Sequence, residues 1–201
     1  MISIFLQPKM SAPYGAERSF VCQHKEIYHL IKIELLSETN FCIKSLDSYN
    51  RKQDVNKVYR RIDGDFVLVE CKYTEDWDLN KKRSVAEQIS SDEYITFIAL
   101  KNDKVVGFIG LLRQLNGPYM ILDMMQVSSE CRGQGIGRRL FVAAKDEARK
   151  NGAEALYISA CSSEETIAFY RAMGSDLASN PIKEIAEKEP FDLQMICPVK
   201  E

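Results

Sequence analysis

Apolar and polar positions fall into a small number of readable segments along the chain. In "DGDFVLVECKY", Phe66, Leu68 and Glu70 alternate with Val67, Val69 and Cys71 after an Asp-Gly turn, which predicts a strand. "YITFIALKNDKVVGFIGLLRQ" carries two β-branched, apolar runs about the polar turn "KNDK", the pattern of a hairpin. "YMILDMMQVS" follows Gly117-Pro118 as a third apolar strand. The next segment places Leu140, Phe141, Ala144 and Ala148 on one helical face and stops at Asn151-Gly152. "EALYISAC" reads as a strand, "SSEETIAFYRAMG" as a helix with Ser at its cap and acids in its first turn, and "PFDLQMICPV" as a final strand. "SVAEQISSDE" predicts a short helix. Upstream, "FCIKSLDSYN" predicts a short strand and "RKQDVNKVYRRI" a polar helix. "HKEIYHLIKIELLSE" suits a helix or a strand, and "SAPYGAERSF" a loop. Strands first, then helices alternating with strands, indicate an α/β protein with a mixed, mainly antiparallel sheet flanked by helices.

No internal repeat or low-complexity linker divides the 201 residues, a length that suits one domain with an N-terminal extension. The division expected is residues 1–40 as extension and 41–201 as the domain. A hydrophobic share of 45% and a charged share of 28% are those of a globular chain. A net charge of -2 argues against nucleic acid as the main partner. Lys81, Lys82 and Arg83 read as a solvated helix turn. Six cysteines stand singly, without metal-ligand spacing, which suits reduced thiols and no metal. "MISIFL" is too short for a signal-peptide core, and no run reaches the length of a membrane span. The expectation is a soluble cytoplasmic protein with no membrane partner. Its oligomeric state is open, and a homodimer is compatible.

The chemistry concentrates in "SSECRGQGIGRRL", between the third strand and the helix. The first N–H groups of a helix lack carbonyl partners, and the peptide dipoles there favour negative charge. Gly133, Gly135 and Gly137 would let those groups approach a bulky anion. Arg132, Arg138 and Arg139 stand at the helix end where cations are unfavourable unless an anion is present. A pyrophosphate meets that demand; an exposed flexible loop is the plain alternative. A P-loop would need Lys-Ser/Thr after the last glycine, and the dinucleotide fingerprint a G-x-G-x-x-G spacing, and neither is present.

"VSSECRGQGIGRRLF" resembles the acetyl-CoA loop of the GNAT superfamily of N-acetyltransferases. Downstream, "SSEETIAFYRAMGS" resembles that family's N-x-x-A-x-x-F-Y-x-x-x-G-F segment, keeping Phe169, Tyr170 and Gly174. It departs with Ser163 for Asn, Thr166 for Ala and Ser175 for Phe. The resemblance covers roughly residues 40–201. It implies a GNAT-like acyl-CoA N-acyltransferase fold, acetyl-CoA as cosubstrate and a primary amine of a small molecule or peptide as acceptor. The amine would attack directly in a ternary complex. It further implies a pyrophosphate cradle of backbone N–H groups over Arg132, Gly133, Gln134, Gly135, Ile136, Gly137 and Arg138. Met125, Gln126 and Val127 would bind the pantetheine arm, with the Val127 N–H at the thioester carbonyl. Tyr170 would serve as general acid at the departing thiolate. Ser163 would bind cofactor in place of the usual Asn, or cap the helix.

For the base, Asp123 and Glu70 are acids within apolar strands, Asp123 the better placed. "TEDWD", Thr74 to Asp78, would either bind a cationic acceptor over Trp77 or form a turn with a buried indole. His24 and His29 read as surface residues, and Cys131 as a small buried side chain. A CoA-binding or sensing module of the same fold, without turnover, is the alternative function.

Overall fold

The structure, a computed structural model, describes residues 31–200. The predictions for the loop at 11–20, for His24 and His29 and for the first part of "HKEIYHLIKIELLSE" lie outside the described residues. The described residues form one compact unit.

Among the described residues nine strands and four helices follow in order: β1 (Ile31–Leu35), β2 (Gln53–Ile62), β3 (Asp65–Glu75), α1 (Leu79–Ser90), β4 (Tyr94–Lys101), β5 (Lys104–Leu112), β6 (Tyr119–Val127), α2 (Ile136–Lys150), β7 (Ala155–Ala160), α3 (Glu164–Ala172), β8 (Asp176–Leu177), α4 (Lys183–Lys188) and β9 (Leu193–Pro198). Seven strands make one sheet in the order β1-β4-β5-β6-β7-β9-β8, and β2 and β3 form a separate hairpin. Among the described residues only the β6–β7 pairing is parallel; the other pairs are antiparallel.

The continuous apolar runs of β4 and β5 have a simple cause: both faces of the sheet are covered. On one face α2 inserts Ile136, Leu140, Phe141, Ala144 and Ala148 against Ile95, Ile109, Leu111 and Met120. On the other, Val85, Ala86 and Ile89 of α1 pack with Leu46, Tyr49, Ile98 and Phe108. Each large side chain so buried contributes about 1.5–3 kcal/mol.

Three expectations are corrected. Residues 43–46 form a 3-10 turn, not a strand. "QDVNKVYRRI" is strand β2, not a helix. Its apolar spacing imitates a helical stripe: Val55 and Val58, three positions apart, are both buried, on either side of a register shift in which Asn56 stands opposite both Cys71 and Lys72 of β3. The ambiguous apolar segment at Ile31–Leu35 is an edge strand paired with β4, so this part of the first 40 residues belongs to the sheet.

Candidate active site

β6 carries the site because its two ends have different neighbours. From Tyr119 to Leu122 it pairs with β7, up to Leu122 against Ile158; beyond that the register stops, while β6 continues along β5 and β7 along β9. A register shift in β6 falls at Asp123, between the Gly110–Met124 and Leu111–Leu122 pairs. The bulge turns the rest of β6 away from β7. Ser128 donates its amide to Val106, which fixes the parity of the ladder. The Ile109–Met125 and Gly107–Val127 pairs are therefore the non-hydrogen-bonded ones, so the backbone polar groups of Met125 and Val127 face the gap.

At the open end of the gap lies the glycine loop. Gly133 and Gly135 have φ of 72° and 74°, a left-handed conformation that disfavours any residue with a Cβ. Gly135 is the N-cap of α2. Among the described residues, no protein acceptor meets the N–H groups of the six residues from Gly133 to Arg138. Gly137 serves a different purpose from the other two glycines. A Cβ there would lie 3.2 Å from Phe169 Cε2 and 3.4 Å from Met125 Cε, so its bareness lets α2 close on α3. The arginines also divide. Arg132 donates to the carbonyls of Val127 (3.0 Å) and Arg51 (3.2 Å), and Arg139 to that of Ile31 (3.0 Å). Arg138 is exposed at the mouth of the cleft.

A strap crosses that open end. Ser129 N–H donates to the carbonyl of Asn50, whose own N–H donates to Ser128 Oγ. Further along the same segment Tyr59 N–H donates to the carbonyl of Ser162, and Arg60 Nη1 to Ser162 Oγ at 2.7 Å. Residues 50–60 thus join the end of β6 to the turn after β7. With the Leu122–Ile158 pairing they enclose the gap.

The cleft, of about 750 Å³, is lined by Met124 to Val127, Arg132, Gly133, Gly135 to Arg138, and Tyr170. Tyr170 is buried against Phe141 and Phe169, with ring centroids at 6.0 and 5.3 Å, and burial raises its phenol far above the ordinary value. Gln134 is outside the lining, and its side chain turns back to the Glu130 carbonyl. Ser163 is fully buried and outside it too. Its Oγ accepts from Thr166 N–H, and the helix-cap alternative is the one the geometry supports. Asp123 lines the cleft, exposed, and accepts at Oδ2 from Tyr94 (2.6 Å) and Gln88 (3.2 Å). Glu70 is exposed on β3 and does not line the cleft. Trp77 packs on Tyr49 and Phe108, and the cation over its ring is Arg51, 5.5 Å away.

Arg51 and Asp192 are among the cleft residues that have no counterpart in the sequence reading. Arg51 is nearly fully buried, paired with Glu75 at 2.5 Å. Asp192, just before β9, is partly buried, and that burial pushes its carboxyl up to about 6. The acid in "EPFDLQ", beside an apolar strand, carried the signal that singled out Asp123. Among the described residues no group of three or more His, Cys, Asp or Glu could hold a metal ion, and no helix is long and apolar enough to cross a membrane.

The profile of the acetyltransferase (GNAT) family matches residues 59–174. The chain belongs to the GNAT family of acetyltransferases. Solved GNAT structures share its fold. A nourseothricin acetyltransferase superposes with a TM-score of 0.63 at 20% identity, covering 85% of this chain and 99% of that one. A protein from Bacillus anthracis str. Ames assigned as a streptothricin acetyltransferase, solved with acetyl coenzyme A, gives 0.64 at 18% identity, covering 84% and 98%. An IAA acetyltransferase from Bacillus cereus gives 0.53 at 16% identity, covering 84% and 99%. A comparison with curated proteins finds no match. Of the residues the GNAT resemblance assigns, Gln134 and Ser163 lie outside the cleft lining, and Ser163 caps α3.

Proposed function

We propose that the protein transfers an acetyl group from acetyl-CoA to a primary amine of a small molecule or peptide by direct attack. The observation that carries this reading is the run of six N–H groups, Gly133 to Arg138, without protein acceptors at the mouth of a split sheet. The residues present fit the group. Gly133 has open space where a Cβ would stand, the dipole of α2 favours an anion there, and exposed Arg138 adds charge.

Acetyl-CoA bound there supplies an activated acetyl carbon with a thiolate as leaving group. The chain supplies the rest. The loop N–H groups hold the pyrophosphate, and the gap-facing backbone of Met125 and Val127 takes up the amides of the pantetheine arm. Val127 N–H donates to the thioester oxygen as charge develops on it, a contribution typically worth 10²–10³ in rate. The amine's lone pair forms the C–N bond, and the C–S bond breaks with its electrons on sulfur. Tyr170 protonates that sulfur and recovers a proton from the nitrogen of the new amide. An ammonium acceptor must first lose a proton to a base, for which the sequence put forward Asp123. Asp54, Asp123, Glu165 and Asp192 all line the cleft, which favours a cationic acceptor.

The test is thiol release from acetyl-CoA with a panel of amines: nourseothricin, a polyamine, an aminoglycoside and a peptide with a free N-terminus. Acetylation of at least one is expected. Tight CoA binding with no thiol release from any would favour a CoA-sensing role.

A further inference from the structure

Asp192 is the end of a directed chain of hydrogen bonds that the loop and the cofactor do not explain. Ile182 N–H donates to Tyr157 Oη at 2.9 Å, and Tyr157 donates to Gln194 Oε1 at 2.8 Å. Gln194 Nε2 donates to Ser159 Oγ at 2.8 Å, and Ser159 donates to Asp192 Oδ2 at 3.3 Å. Each group is fixed by the one before it. Because Tyr157 accepts a backbone N–H, its own proton goes to Gln194; that sets the amide, and the amide leaves Ser159 only the donor role toward Asp192. Tyr157 is fully buried and Gln194 nearly so. Such a chain costs several ordered polar groups beneath the sheet, and its one outlet is a carboxylate in the cleft.

We propose that Asp192 is the base that takes the proton from the acceptor's ammonium group, and that Ser159, Gln194 and Tyr157 are its positioning residues. This rests on the acetyltransferase reading above. The step is R–NH3⁺ plus the Asp192 carboxylate giving R–NH2 plus the Asp192 carboxylic acid, which returns its proton to solvent. Ser159 engages Oδ2 only. The groups around Asp192 come from several elements: Ser159 on β7, Glu189 after α4, Glu75 on β3, Arg60 on β2, Tyr170 on α3 and Cys161 after β7. Burial first, then the neighbouring Glu189, raise its affinity for a proton, whereas the Ser159 bond lowers it. A carboxylate so balanced holds a proton better than one in water and still sheds it at neutral pH. Asp123, by contrast, is exposed, with Oδ2 engaged by Tyr94 and Gln88.

Two measurements test this. The first is an NMR titration of the ¹³C-carboxyl aspartates in the protein alone, with Asp192→Asn identifying the signal. A midpoint near 6 that moves upward in Ser159→Ala is expected. The second uses nourseothricin as probe acceptor. The kcat/KM should rise through about pH 6 in the wild type. It should fall about a hundredfold or more in Asp192→Asn with unchanged CoA affinity. Ser159→Ala should move the rise to higher pH, and Ser159→Thr should restore it. An Asp192 titration at the ordinary value that ignores Ser159→Ala, or an unchanged rate in Asp192→Asn, overturns the proposal. If the wild type releases no thiol with nourseothricin, that acceptor is refuted, and the titration alone decides Asp192.

Discussion

Ser163 Oγ accepts the amide proton of Thr166 at 3.3 Å and donates to Thr166 Oγ1 at 2.8 Å, while Gln53 Nε2 stands 3.4 Å away. Where the family pattern has asparagine, this chain has a saturated helix cap. Ser163→Ala should therefore cost about 1 kcal/mol in urea unfolding and leave CoA affinity within about twofold. A large loss of CoA binding in a well-folded Ser163→Ala protein would restore Ser163 to the binding set.

Gly135→Glu places a carboxylate among the N–H groups proposed to hold the pyrophosphate, and CoA binding should fall by more than about a hundredfold, or about 2.7 kcal/mol. Gly135→Asn is the control, because asparagine tolerates a left-handed φ. It should keep most of the affinity by calorimetry. Equal losses in the two variants would assign the glycine to backbone geometry alone.

Tyr170→Phe removes one oxygen and keeps the ring's packing on Phe141 and Phe169. Stability and CoA affinity should change little, while kcat falls by about ten- to a hundredfold. Unchanged kcat would leave Tyr170 as packing.

Arg51 and Glu75 form an unequal pair, their side chains 8% and 36% exposed. Removing the carboxylate strands the more buried guanidinium; removing the guanidinium leaves a carboxylate that water can reach. Glu75→Ala should thus destabilise more than Arg51→Met, by on the order of 2 kcal/mol in urea titrations. The reverse order would show that the cation's stacking on Trp77, and not its charge, dominates.

The Asp192 carboxyl, raised from 3.8 to about 6, also links stability to pH. The folded state prefers the protonated form. That contribution is complete below the unfolded value and is lost as pH rises through about 6. Asp192→Asn cannot ionise, so it should be more stable than the wild type at about pH 7.5, by on the order of 2 kcal/mol, and no more stable near pH 4. Thermal melts at both pH values read the difference directly.

Much of this fold is legible in the residues from Tyr94 onward, because local signals and tertiary demands agree there. The 94–112 hairpin, β6, the loop into α2 and the capped α3 all follow from apolar pattern, turn residues and caps. β2 was not legible: Val55 and Val58 are both buried, a three-residue spacing that mimics a helix, and its pairing shifts register through an extra residue in β3. The glycine loop was readable as a local constellation, although Gly137 proved to answer to Phe169 and Arg139 to Ile31. Asp192 was hidden for another reason. What sets it apart is Ser159, 33 positions away, and a network whose members meet only once β7 and β9 lie side by side.

The strap from Asn50 to Arg60 turns what would be a slot into a closed frame, bounded by β6, β7, the Leu122–Ile158 pair and the strap itself. A slot admits a long molecule sideways; a frame admits it only end-first. On the acetyl-transfer reading proposed above, the slim end of the donor leads, the bulky, charged end stays on the loop side, and the spent molecule withdraws along the line by which it came. Direction of travel is in this way written into the connectivity of the chain, before any side chain has recognised anything.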